Sequence, residues 1–144
     1  MNILVSACLL GVDYRYDGTG CLLLILEELK ERHHLIPICP EAFGGLPTPR
    51  PPAEILDGKV INAEGADVTQ QYEKGAREIL KLARLFNCEA AILKERSPAC
   101  GFGKVHNGLF DGGLVEGNGV LAGLLSREGL IIIGETQTDR LARL

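Results

Sequence analysis

Three cysteines stand just past three short apolar runs. Cys8 follows Asn2–Ser6, Cys39 follows Leu35–Ile38, and Cys100 lies in the loop after Ala90–Leu93. If each run is a strand of one parallel sheet, all three thiols emerge beyond carboxyl ends, on the same sheet edge. Open α/β sheets bind ligands at that edge, where the strand order reverses. Three thiolates there suit an iron–sulfur cluster with one iron left free for chemistry. Zinc would ask for a fourth protein ligand or an open position, and no C-x-x-C pair supports a zinc ribbon. A single nucleophilic cysteine, activated by a helix N-terminus or a nearby arginine, is the third reading. The residues alone leave all three open, beside a purely structural one. Cys21, in the first turn of an expected helix, and Cys88, ahead of a strand, read as small buried hydrophobes.

The elements that must position these thiols follow from the pattern. Asn2–Ser6, Leu35–Ile38, Ala90–Leu93 and Leu130–Ile133 are continuous apolar runs, as expected of strands buried on both faces. Between them lie helical segments. One is expected over 20–32, capped by Thr19, and a second from Val68 to Phe86, with Tyr72, Ala76, Ile79, Leu80, Ala83 and Phe86 at helical spacing. A third covers Gly119–Arg127, and the polar tail 135–144 allows a last one. Five prolines and Gly44-Gly45 mark Cys39–Pro52 as irregular. Hairpins are expected around Asp57-Gly58 and in the glycine-rich stretch Ser97–Gly119. Strands alternating with helices predict an α/β fold: one domain over residues 1–144, Rossmann-like, three-layered α/β/α, with a mainly parallel sheet of about four or five strands. The first strand is expected to be central, with the second on one side and the third and fourth on the other.

Composition narrows the partners. The 144 residues are 46% hydrophobic and 24% charged, with a net charge of −4, which argues against a nucleic-acid partner. The longest apolar runs fall far short of the roughly 20 residues that span a bilayer. Val5-Ser6-Ala7-Cys8 mimics a lipoprotein cleavage site but lacks the basic start of an export signal. The expected location is therefore the cytoplasm, where thiols stay reduced. A monomer or weak homo-oligomer is the expected state.

Longer motifs carry a resemblance. Ser6-Ala7-Cys8-Leu9-Leu10-Gly11, Arg15-Tyr16-Asp17-Gly18, Cys39-Pro40-Glu41, Gly45-Leu46-Pro47-Thr48-Pro49-Arg50-Pro51-Pro52-Ala53-Glu54-Ile55, Asp67-Val68-Thr69 and Ile92-Leu93-Lys94-Glu95-Arg96-Ser97-Pro98-Ala99-Cys100-Gly101 occur in that order. Together they resemble the bacterial and archaeal thiouracil desulfidase family over essentially the whole chain. The resemblance implies a 4Fe-4S cluster held by Cys8, Cys39 and Cys100, with one open iron. It implies a small thiolated base as substrate and a non-redox hydrolytic loss of its sulfur. A glutamate and a serine are implied as catalytic groups, mapping to Glu41 and Ser97. Two departures stand out. The family usually has serine where this chain has Ala99, and Val105–Phe110 only loosely follows a tyrosine-containing version.

Other residues offer supporting roles. Arg50, between prolines, could hold an anionic part of the substrate or enter a structural ion pair. Asp17 could contact the base or simply form its turn. Lys94, Glu95 and Arg96 give the pocket a mixed-charge edge, with Arg96 a candidate for substrate binding. Gly117-x-Gly119 opens a helix and could present backbone donors to an anion. His33-His34 points in two directions and lacks a matching ligand motif. The alternative to an enzyme is a non-catalytic iron–sulfur or thiol-based binding or redox-sensing module.

Overall fold

The computed structural model describes residues 1–144. In chain order the elements are β1 (Asn2–Ser6), a 3-10 turn over Ala7–Leu10, α1 (Ile25–Leu29), β2 (His34–Ile38), α2 (Pro40–Phe43), β3 (Ala53–Leu56), β4 (Lys59–Asn62), α3 (Thr69–Leu85), β5 (Ala90–Leu93), β6 (Lys104–His106), β7 (Leu114–Glu116), α4 (Val120–Arg127), β8 (Ile131–Gly134) and α5 (Thr138–Ala142). The main sheet runs β2-β1-β5-β8, all parallel, so the expected strand order holds. β3-β4 and β6-β7 form two separate antiparallel hairpins.

Alternation along each strand divides the core between the two faces of the sheet. Leu4, Ala91, Leu93 and Ile132 pack with Ile79 and Ala83 of α3 and Leu121 and Leu125 of α4. Ile3, Val5, Ala90, Ile92 and Ile133 pack with Leu26 and Leu29 of α1 and Leu141 of α5. This is the three-layer Rossmann-like arrangement. No helix is long and apolar enough to cross a membrane.

Register aligns the functional edge. Ser6 pairs with Ile38, and Val5 pairs with Ile92. The three strands β2, β1 and β5 therefore end at one level, and the Ser6 hydroxyl ties β1 to β5 by accepting the Lys94 N–H at 2.9 Å. The chain leaves β1 toward β2 and then crosses to β5 on the other side, so the switch point lies beside β1.

Two expectations need correction. The helix predicted from residue 20 begins only at Ile25. Residues 21–23 are drawn into tertiary pairing instead: Cys21 N–H donates to Cys8 O and Leu23 N–H to Leu9 O, both at 2.8 Å. Leu22 and Leu24 are consequently exposed. Nor is Cys39–Pro52 irregular throughout, because α2 starts at Pro40. Proline suits the first helical position, whose N–H has no partner within a helix.

α2 sits directly on α3, and two glycines make this possible. A Cβ at Gly44 would lie 1.9 Å from Gln71 O, and one at Gly75 would lie 1.9 Å from Pro40 O. The backbones touch, with no side chain between them. Since α2 carries Glu41 and begins beside Cys39, this contact sets the height of both above the sheet. Gly75→Ala must push α2 away. It should lower stability by about 1–3 kcal/mol in urea denaturation, whereas Lys74→Ala, on the exposed face of the same helix, should leave it unchanged.

Candidate functional site

A cavity of about 480 Å³ opens above the aligned strand ends. Cys8, Cys39 and Cys100 all line it, so the topology brings the three predicted thiols together. Each comes from a different local structure. Cys8 lies in the 3-10 turn that continues β1 and stops at Gly11, whose φ is +89°. Cys39 is the residue before Pro40, and its carbonyl accepts the Phe43 N–H at 2.9 Å. Cys100 ends a tight turn built on Ser97, whose Oγ accepts the N–H groups of Cys100 at 2.7 Å and Ala99 at 3.2 Å.

α4 braces that turn from behind. Its first amides, those of Val120, Leu121 and Ala122, donate to the carbonyls of Pro98 and Ala99. A Cβ at Gly119 would meet the Ala99 carbonyl at 2.5 Å, so glycine is required there. The donors expected to be free for an anion at Gly117-x-Gly119 are thus already engaged by the chain itself. Ala99 is fully buried in the core and does not line the cavity, so the serine-to-alanine departure lies off the wall.

The donor set fits a multi-iron cluster. The three thiols are near enough that Cys8 and Cys39 each help to raise Cys100. A zinc ion draws its thiolates onto one centre at about 2.3 Å, whereas each thiolate of a cluster binds its own iron and stands apart from the others. Burial also opposes the lone-nucleophile reading. It pushes the Cys39 thiol up to about 11, assisted by the neighbouring Glu41 carboxylate. Burial raises Cys100 well above the ordinary thiol value, with Glu41 adding to it and a hydrogen bond from Ser6 opposing it. Cys8 is raised by burial and then by Cys21, which stands behind it and outside the cavity lining. A reactive cysteine needs the opposite shift. Bound cations reverse the balance, because a coordinating thiol gives up its proton.

Glu41 is nearly buried beside these thiols, with Cys39 Sγ 3.4 Å from its Oε2. Arg50 approaches the same oxygen at 3.5 Å, with only 7% of its side chain exposed. Its other contacts are internal: it donates to Tyr14 O at 2.9 Å and Thr48 Oγ1 at 3.0 Å. Arg50 therefore acts as a brace between Glu41, the proline loop and the loop segment at Tyr14. Ser97 lines the cavity while holding its turn. Arg96 lines the rim with φ at +70°, and its guanidinium has no protein partner within hydrogen-bond or salt-bridge reach. Asp17 is not on the wall. Its Oδ1 is occupied by the Thr19 N–H and hydroxyl at 3.1 and 2.6 Å, which makes it the turn former.

Several wall residues escape a reading of the sequence alone. Ser6 closes the floor beside Cys100. Tyr72 of α3, expected as core, reaches the cavity and has its phenol raised by burial and then by Glu41. Glu54 joins the two hairpins by accepting the N–H groups of Gly108 at 3.0 Å and Phe110 at 3.1 Å. Glu54 sits in the Gly45–Ile55 motif quoted above, and that is its available signal, whereas His106 lies in the loosely matching segment Val105–Phe110 and has none. Lys94 and Glu95 line the cavity beside Arg96, as the expected mixed-charge edge, and are held there by bonds to Glu135 and Thr136 just past β8. His33 accepts from the amino terminus at 3.0 Å, away from the site.

The raised thiols make the metal-free fold sensitive to alkali. Above the ordinary thiol value of 9.0 the unfolded chain releases a proton that folded Cys39 keeps until about 11. Stability of the metal-free chain should be full below pH 9 and fall progressively toward pH 11. Urea denaturation across that range checks this, and Cys39→Ala should lessen the decline while the raised thiols of Cys8 and Cys100 keep part of it.

Comparison with known proteins supplies the remaining context. A structure solved as the [4Fe-4S]-dependent thiouracil desulfidase TudS superposes with a TM-score of 0.92 at 42% identity, covering 98% of this chain and 95% of that one. The protein YbbK of Bacillus subtilis (strain 168) is 41% identical over 147 residues, 95% of this chain and 97% of the relative. The model of the 2-thiouracil desulfurase family matches residues 3–137. With that match spanning nearly every element that builds the cavity, the chain belongs to the 2-thiouracil desulfurase family.

Proposed function

We propose that this protein is an iron–sulfur-dependent desulfidase that removes sulfur from a thiouracil-like pyrimidine by non-redox hydrolysis. The observation that carries the reading is the sharing of one cavity by three separated thiols, a buried carboxylate and a hydroxyl. Family membership and the likeness to a [4Fe-4S]-dependent desulfidase support it. Cys8, Cys39 and Cys100 would hold a 4Fe-4S cluster with one iron left open. When bound, the cluster supplies a Lewis acid for the substrate sulfur and a destination for it once the carbon–sulfur bond breaks.

The chain's own groups do the rest. Water adds its oxygen to the carbon that bears sulfur, and Glu41 accepts the water proton on a carboxylate oxygen. Overall, the thiocarbonyl and one water become a carbonyl and hydrogen sulfide, with no electrons left over. Arg50 holds the Glu41 carboxylate in one orientation and offsets its charge in a desolvated wall. The oxygen of Ser97 is taken by backbone amides, which leaves its O–H free to orient the water or the substrate. Arg96, unpaired at the rim, suits a polar or anionic part of the ligand. A cluster used only for sensing has no need of an ion-paired carboxylate and a directed hydroxyl in the same cavity.

Protein prepared and reconstituted without oxygen should be brown and hold about four irons per chain. Cys8→Ala, Cys39→Ala and Cys100→Ala should each lose the colour, and Cys88→Ala should keep it. Glu41→Gln should keep the cluster spectrum while 2-thiouracil turnover drops about 100-fold or more. An iron-free protein after reconstitution, or wild-type turnover by Glu41→Gln, counts decisively against the proposal.

A further inference from the structure

His106 lines the same cavity, at the end of β6. Its position is fixed by backbone contacts on several sides. Its N–H reaches Arg96 O at 3.4 Å, its strand partner is Leu114, and Glu54 holds the next turn through Gly108 and Phe110. The ring itself bonds nothing in the protein. Nδ1 is fully buried with no partner, and only Nε2 is left accessible.

This asymmetry selects a tautomer. A neutral imidazole carries one N–H and one bare nitrogen. A buried N–H without an acceptor is the rarer and more destabilising defect, compared with an acceptor short of a donor. The hydrogen of the neutral ring therefore belongs on Nε2, and the bare lone pair on Nδ1. His106 then offers the cavity a fixed hydrogen-bond donor on a braced strand.

We infer that His106 is a specificity residue: its Nε2–H donates to the remaining oxo group of the pyrimidine. The inference rests on the function proposed above. It adds a preference, because a donor aimed at that position accepts an oxo group and is mismatched with an amino group, which presents donors of its own. Uracil, the desulfurated product, is the direct probe, and cytosine is its mismatched counterpart.

Calorimetric titration of the reconstituted protein with uracil and cytosine tests this without relying on turnover. Wild type should bind uracil more tightly than cytosine. His106→Phe should weaken uracil about tenfold and erase the preference, while His106→Gln, which retains a donor, should stay within about threefold of wild type. Unchanged iron content and circular dichroism should accompany both variants. Long-range proton–nitrogen NMR on the cluster-free chain reads the tautomer directly: hydrogen on Nε2 is expected, and hydrogen on Nδ1 overturns the inference whatever the enzyme turns over. A His106→Phe variant that binds uracil as wild type does overturns it too, and leaves the desulfidase reading standing if wild type turns over 2-thiouracil. A cluster-loaded wild type that turns over no thiolated pyrimidine overturns the function and this inference together.

Discussion

Everything at the site depends on the register between β1 and its two neighbours. Parallel pairing on both sides brings Ser6, Ile38 and Leu93 to one level, so whatever follows each strand meets whatever follows the others. A shift of a single residue in either pairing would reverse the faces of that strand, exchanging the α3 side of the core for the α1 side. The core forbids this, because both faces are filled by different helices. Hydrophobic burial thereby fixes the distances between sulfurs that are far apart in sequence.

The polar groups of the cavity then face a dry wall. Three thiols, Glu41, Arg50 and Tyr72 share it, and desolvation raises every thiol of the set and the Tyr72 phenol. Such a wall favours the neutral forms while it is empty and rewards a dense positive centre once one arrives. Arg50 is the fixed cation in this arrangement, and the loops around it supply the contacts that keep it there.

Much of this is legible in the sequence. Short apolar runs mark the strands, their alternation with helices implies the parallel sheet, and the cysteine after each run implies the shared edge. Other features are not legible, for physical reasons. The start of α1 is set by long-range pairing of Cys21 and Leu23 with the Cys8 turn, which no local propensity records. The helix α2 hides in a proline-rich stretch because its stability comes from backbone contact with α3 through Gly44 and Gly75. For Asp17 and Arg50 the sequence offers a binding and a structural role alike, and only the fold shows the bonds that Asp17 makes to Thr19 and that Arg50 makes to Tyr14, Thr48 and Glu41. His106 stays hidden because its segment follows the family pattern only loosely, and its ring becomes informative only when its two nitrogens are seen to differ in burial.

The two hairpins form sheets of their own, with no ladder to the main sheet. They are joined to each other through Glu54 and to the thiol loop through the short bridge between Arg96 and Val105. The floor of the cavity therefore belongs to the central scaffold, and its roof to small appendages. Substitutions in the roof can therefore reshape what the cavity admits without disturbing the strand ends that carry Cys8, Cys39 and Cys100.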